Sequence, residues 1–161
     1  MPQRHESTDR ADVRFLPPLA YLAGLIVGYA LWWFWPVPVV PSEWSVPVRT
    51  LGGLAVALGL ALDVWAVSVF RRAGEDPNPM RPTAALTFAG PYRFSRNPMY
   101  LGLALVHAGL ALLGNALWPL LALIPVVWVV RTQVIDKEER YLEAKFGAPY
   151  RDYRARVRRW L

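Results

Sequence analysis

Long uncharged stretches separated by short polar ones set the elements of this chain. After Arg14 no charge appears until Glu43, a gap of 28 residues. Its apolar part, about Phe15 to Trp35, is long enough to cross a hydrocarbon core of about 30 Å as a helix. No small-residue cleavage site follows a short apolar region, so the pattern predicts an uncleaved membrane helix. The Pro-rich stretch 36–47 ends it and predicts a non-helical turn. A second gap, from Arg49 to Arg71, holds 21 residues with one charge, Asp63, and predicts a second span. Residues 97–130 form a third run of 34 uncharged positions. As one helix this run would be about 51 Å long, far more than a bilayer core needs. A hairpin turning at Gly114, Asn115 and Ala116, with short arms tilted or kinked at Pro119 and Pro125, resolves the excess.

The charges between the runs orient them. Arg71 to Arg96 carries five Arg against Glu75 and Asp76, and Arg131 to the end carries nine basic residues against five acidic ones. The positive-inside rule places both segments on the cytoplasmic side, which again demands a hairpin between them. The N-terminal charges Arg4, Glu6, Asp9, Arg10, Asp12 and Arg14 then share that side after two crossings. The expected fold is all-α and polytopic, with four membrane helices, the last two a short hairpin, and both termini cytoplasmic. Trp32, Trp33, Trp35, Trp44 and Trp118 fall at the opposite interface. Beyond Arg131, Ile135, Leu142, Phe146, Tyr150, Tyr153, Val157 and Trp160 recur at helical steps. This predicts an amphipathic segment, broken at Gly147 and Pro149, with an Arg-rich face suited to anionic lipid.

Composition agrees and narrows the classes. A chain of 161 residues, 55% hydrophobic, 19% charged and with eight Trp, is not a small water-soluble domain. The whole chain reads as one domain, with two spans in 1–70 and a catalytic core in 71–161. With no Cys, disulfides, thiolate metal sites and cysteine nucleophiles are excluded. The net charge of +6 follows membrane topology, so no nucleic-acid partner is expected. His5 and His107 alone make no metal site, and none is expected.

Two windows carry the candidate chemistry. In LTFAGPYRFSRNPMYLG, Gly90-Pro91 marks a turn and Asn97-Pro98 begins a helix. Tyr92, Arg93, Ser95, Arg96, Asn97 and Tyr100 gather at that helix start, whose free amides and dipole favour an anion. In DKEERYLEAKFGAPYRDY, adjacent Glu138 and Glu139 follow the last span. Neighbours on a helix point about 100° apart; Glu138 is the inward candidate, and Glu139 is expected to pair with Lys145 or Arg131 outside. The hairpin brings this acidic pair to the same membrane face as Arg96 and Asn97.

These residues, GPYRFSRNPMY, a short apolar hairpin, then EERYLEAKFGAPYRDYRARVRRW, resemble the isoprenylcysteine carboxyl methyltransferase and phospholipid methyltransferase superfamily over about residues 70–160. The resemblance implies a membrane-embedded enzyme that transfers methyl from S-adenosylmethionine to a lipophilic, membrane-resident acceptor, in the manner of an isoprenylcysteine carboxyl O-methyltransferase. The alternatives are a phospholipid N-methyltransferase and a non-catalytic lipid-binding scaffold. Carried over to this chain, cofactor contacts fall on Leu86, Thr87, Tyr92, Asn97, Pro98, Met99, Tyr100, Glu138 and Glu139. Arg96, Asn97 and Glu138 become the catalytic candidates. Asn97 stands where the eukaryotic carboxyl methyltransferases have His, and Val134 stands where they have an Arg associated with the prenylcysteine carboxylate; Arg131 is one turn away.

Charge matching pairs Arg96 and the helix start with the cofactor's carboxylate, and Glu138 with its ammonium. Asp63, an ionisable group inside a span, is with Arg131 a candidate for the acceptor. His107 is expected to be packed rather than ligating. Gly24 and Gly28 form a small-xxx-small pair suited to helix packing within the chain or between copies. The loop EDPNPMRPT is either a connector or part of the cofactor pocket. In a bacterium the inner membrane would house such a chain.

Overall fold

The computed structural model describes residues 9–74, 76 and 78–161; Arg4, His5, Glu6, Glu75 and Pro77 lie outside the described residues. Among those described, the secondary structure is helical: α1 (Pro17–Phe34), α2 (Ser45–Arg72), α3 (Pro98–Leu113), α4 (Leu117–Val130), α5 (Asp136–Phe146) and α6 (Ala148–Arg156), with short 3₁₀ turns at Ser42–Trp44 and Gly90–Arg93. Proline occupies the first or second position of α1, α3 and α6, where its missing N–H costs nothing. Among the described residues three helices are long and apolar enough to cross a membrane: Pro17–Phe34, Ser42–Arg72 and Leu117–Phe146. The expected fourth, Pro98–Leu113, is apolar but has only 16 residues.

Two antiparallel pairings build the bundle, and both depend on missing side chains. A Cβ on Gly52 would lie 2.7 Å from the carbonyl oxygen of Gly109, and one on Gly59 would lie 2.7 Å from that of Gly102. The seven-residue spacing keeps both contacts on one face of α2 and one face of α3, which pack at backbone contact. Likewise Gly24 meets Val126 and Gly28 meets the backbone of Pro119, seating α1 on α4. The small-xxx-small pair therefore serves packing inside the chain.

One end of the bundle is laced by Asn115. Its Oδ1 accepts from the amides of Val39 and Val40, both at 3.1 Å, and its Nδ2 donates to Val40 O at 2.9 Å. Asn115 has φ +49°, a conformation Asn tolerates better than most residues. This ties the turn between α3 and α4 to the loop between α1 and α2, at an end of the bundle where Trp33 of α1 and the loop residues Trp35 and Trp44 are exposed. Outward-facing Leu19, Leu22, Ile26, Leu51, Leu54 and Leu58 line the flanks of α1 and α2, as lipid contact requires.

At the other end α4 does not stop at Arg131. A π-helical turn, Arg131–Ile135, carries it into α5, and the wider turn shifts which residues face the bundle just before Glu138. Val130, Val134 and Ile135 are buried there with Tyr21, Tyr100 and the N-terminal residues Ala11 and Val13. Gly147, at φ +62°, then breaks α5 from α6, as the Gly147-Pro149 pattern predicts. The amphipathic segment expected beyond Arg131, with Val157 and Trp160 on its helical stripe, stops being helical at Arg156; residues 157–161 run back towards the start of α3.

Candidate functional site

Because α3 starts and α5 begins at the same end, their polar residues surround one cleft of about 850 Å³, part of it open to solvent. All nine residues predicted to hold a cofactor line it: Leu86, Thr87, Tyr92, Asn97, Pro98, Met99, Tyr100, Glu138 and Glu139, together with Arg96. The loop after α2 contributes Asp76, Asn78, Pro79 and Thr83, so EDPNPMRPT is more than a connector. Arg131 is exposed on the π turn and does not reach the cleft. Asp63 lies on α2, outside the lining, beside Gly102.

The two glutamates take different partners. Glu138 accepts the Tyr100 hydroxyl at 2.8 and 2.9 Å, a contact that closes α5 onto the first turn of α3. One donor leaves this carboxylate with acceptor capacity towards the cleft. Glu139 does not pair outside with Lys145 or Arg131. It is buried, at 6% exposure, and binds Arg96 at 2.9 Å and Arg159 at 2.6 Å. The sequence leaves solvent on that flank of α5, whereas the C-terminal tail covers it. Arg158 O accepts the Arg96 amide at 3.0 Å, and Arg159 O accepts Asn97 Nδ2 at 3.0 Å and Ser95 Oγ at 3.2 Å.

The same tail changes the reading of Arg96. Its guanidinium donates to Glu139 through Nε and NH2, and through NH1 to the carbonyls of Arg154 and Val157. A cation so engaged is a brace for the tail and not a free anion receptor. What remains for an anion is the start of α3. No side chain caps this helix, Pro98 has no N–H, and the first-turn amides of Met99 and Tyr100 have no intrahelical acceptor. Asn97 likewise spends its NH2 group on the tail, in a position where a titrating side chain is absent.

Aromatic groups build the remaining walls. Tyr92 stacks on Phe70 with centroids 5.5 Å apart, and Tyr153, packed 4.6 Å from Phe88, donates to Tyr92 O at 2.7 Å. Burial pushes the Tyr153 hydroxyl up to about 12 and raises those of Tyr92 and Tyr150, so all three stay neutral donors at physiological pH. The Tyr92 hydroxyl is buried with no partner. Tyr141 accepts the Thr83 amide at 3.2 Å and donates to Asp9 at 3.0 Å, while Lys145 binds Asp9 at 2.7 Å. The N-terminal segment is thereby held against α5, where Ala11 lines the cleft.

Ala11, Phe70 and Tyr141 were not legible as site residues; nothing in their own neighbourhoods signals a ligand. Tyr150 and Tyr153 did register, but only as members of the apolar stripe. His107 is packed as expected, at 1% exposure, with Nε2 2.9 Å from Pro119 O. No group of metal-binding side chains occurs among the described residues.

A family model for phospholipid methyltransferases matches residues 48–149. The chain is also 48% identical, over 65 residues, to an uncharacterized protein of Haemophilus influenzae, an overlap of 39% of this chain and the whole length of that protein. The family match takes in most of the cleft lining, from Phe70 through Leu142.

Proposed function

The chain belongs to the phospholipid methyltransferase family, and on that premise we propose that it transfers a methyl group from S-adenosylmethionine to a lipophilic acceptor resident in the membrane. The carrying observation is the pairing, across one cleft, of a carboxylate with spare acceptor capacity at Glu138 and an uncapped helix start at Met99 and Tyr100. The methionine end of the cofactor is a zwitterion, and these are its complements: Glu138 takes the ammonium, and the helix amides take the carboxylate. Phe70, Leu86 and Leu142 offer apolar surface to the rest of the molecule.

Bound there, the sulfonium supplies an activated methyl group, and displacement at that carbon needs in-line alignment more than acid–base help. The chain's own contribution is then positional. Tyr100 fixes Glu138, Glu139 braces Arg96 and Arg159, and the braced tail with Tyr150 and Tyr153 excludes water from the reacting end. Val134 is uncharged and the exposed Arg131 does not line the cleft, which argues against a prenylcysteine carboxylate as the acceptor.

Purified protein supplied with methyl-labelled cofactor and total membrane lipid is expected to move label into the organic phase. No transfer, together with no saturable cofactor binding, would favour a non-catalytic lipid-binding scaffold. For orientation we propose both ends of the chain in the cytoplasm, supported by the basic segments around the cleft. The chain has no native Cys, so Ser42→Cys and Arg140→Cys, both at exposed positions, report sidedness directly. An impermeant maleimide is expected to label the first from outside intact cells and the second only after permeabilisation. The opposite pattern would reverse the topology.

A further inference from the structure

Two segments remote in sequence flank the cleft, the C-terminal tail and residues 9–13, and they are fastened differently. The tail is bolted by a buried network: the side chains of Glu139 and Arg96 are 8% and 9% exposed, and the carbonyls of Arg158 and Arg159 accept from Arg96, Asn97 and Ser95. The strap formed by residues 9–13 has no such anchorage. Among the described residues its backbone bonds to itself, Val13 N to Ala11 O at 2.8 Å, and otherwise only offers the Asp9 carbonyl to the Tyr141 hydroxyl at 3.2 Å. The two acidic residues of the strap meet two lysines of α5: Asp9 binds Lys145 at 2.7 Å, and Asp12 lies 3.8 Å from Lys137. Those lysines are eight residues apart, about 12 Å along a helix, so the strap runs along α5 in the opposite direction.

Both of these pairs are open to water, with the Asp9 side chain 62% and that of Asp12 82% exposed. Exposed pairs are weak and screened by salt, whereas breaking a buried pair strands a charge. The apolar anchorage is small as well, Ala11 and Val13 being the buried residues of the strap. Of the two segments the strap is therefore the one that lifts more readily. Lifting it opens the cleft. The Tyr141 hydroxyl accepts the Thr83 amide at 3.2 Å and Lys145 Nζ at 3.1 Å, and donates to Asp9 Oδ1 at 3.0 Å. Ala11, Thr83 and Tyr141 are all walls of the cleft, so one phenol closes the seam between the strap, the loop after α2 and α5. The family match begins at residue 48, so the strap lies outside the matched region.

We propose that residues 9–13 are a gate for the cofactor, latched to α5 by Asp9, Lys145 and Tyr141, and that release of this latch sets how fast S-adenosylmethionine enters and S-adenosylhomocysteine leaves. The proposal rests on the methyltransferase reading and assigns the route of exchange at the same cleft. A latch that stands closed with and without ligand slows entry and exit together. Weakening it therefore changes rates more than affinity.

The test uses full-length protein in nanodiscs and measures association and dissociation of labelled S-adenosylhomocysteine separately. Asp9→Asn and Lys145→Gln are each expected to raise both rates at least about fivefold, with Kd within about threefold of the wild type. Loss of a merely structural contact would instead weaken Kd through faster dissociation alone; that outcome, or unchanged rates, overturns the proposal. A converse experiment fastens the latch. The chain has no native Cys, so Asp9→Cys with Lys145→Cys can be bridged by a short bis-methanethiosulfonate. The bridged protein should bind and release the ligand at least about tenfold more slowly than the wild type, and reductant should reverse this. Exchange that survives complete bridging unchanged overturns the gate while leaving methyl transfer itself intact. Absence of saturable S-adenosylhomocysteine binding by the wild-type protein instead overturns the reading beneath it.

Discussion

Glu139→Ala is expected to be the most destabilising single change at the cleft, costing about 3 kcal/mol or more, because removing one partner of a buried ion pair strands the other. Arg96 is the group that suffers. Its side chain is 9% exposed, and it keeps only the carbonyls of Arg154 and Val157 once the carboxylate is gone. Arg159 is 24% exposed and can turn towards Asp136, 2.9 Å away, so Arg159→Ala should cost less, about 1 kcal/mol. The tail residues 157–161 are held to α3 through this network, so limited proteolysis of Glu139→Ala should release a C-terminal fragment before the bundle is cut. Thermal unfolding in detergent measures the first effect. A transition temperature equal to the wild type would show that the buried pair contributes nothing.

Glu138→Gln should leave the fold in place and abolish most cofactor binding. Gln keeps an oxygen that can accept the Tyr100 hydroxyl, so the closure of α5 on α3 survives while the charge is lost. A charge-assisted hydrogen bond is worth about 1.5–3 kcal/mol, which corresponds to roughly a 10- to 150-fold weaker Kd. Calorimetry with S-adenosylhomocysteine gives that number directly, and an unchanged Kd would remove Glu138 from the site. The contrast between adjacent residues is instructive: one substitution should cost affinity with little stability, and its neighbour should cost stability first.

That contrast also shows where local pattern stops being informative. The uncharged runs were enough to place α1 and α2, and the excess length of residues 97–130 was enough to require a turn at Asn115. Asn97-Pro98 marked the start of α3, because proline at the first helical position is a local signal. Glu138 was legible from its phase, one turn from Ile135 and Leu142. Glu139 was not, since its partner Arg159 is 20 residues away on a tail that leaves its helix at Arg156. A helical wheel assumes that what faces away from the bundle faces water; here the chain folds back and occupies that side. Arg96 misled for the same reason, its guanidinium being spent on groups that no spacing rule connects to it. Ala11 lines the cleft only because Asp9 is pinned by Lys145 and Tyr141, more than 130 residues along the chain.

The most direct test of the assembled cleft asks whether it recognises the zwitterionic end of the cofactor. Labelled S-adenosylmethionine should bind the wild-type protein saturably, one molecule per chain. S-adenosylhomocysteine, which keeps the amino-acid moiety, should displace it, and 5′-methylthioadenosine, which lacks that moiety, should compete at least 100-fold less well. Equal competition by the two, or no saturable binding at all, would contradict the assignment of Glu138 and the start of α3 to a single ligand.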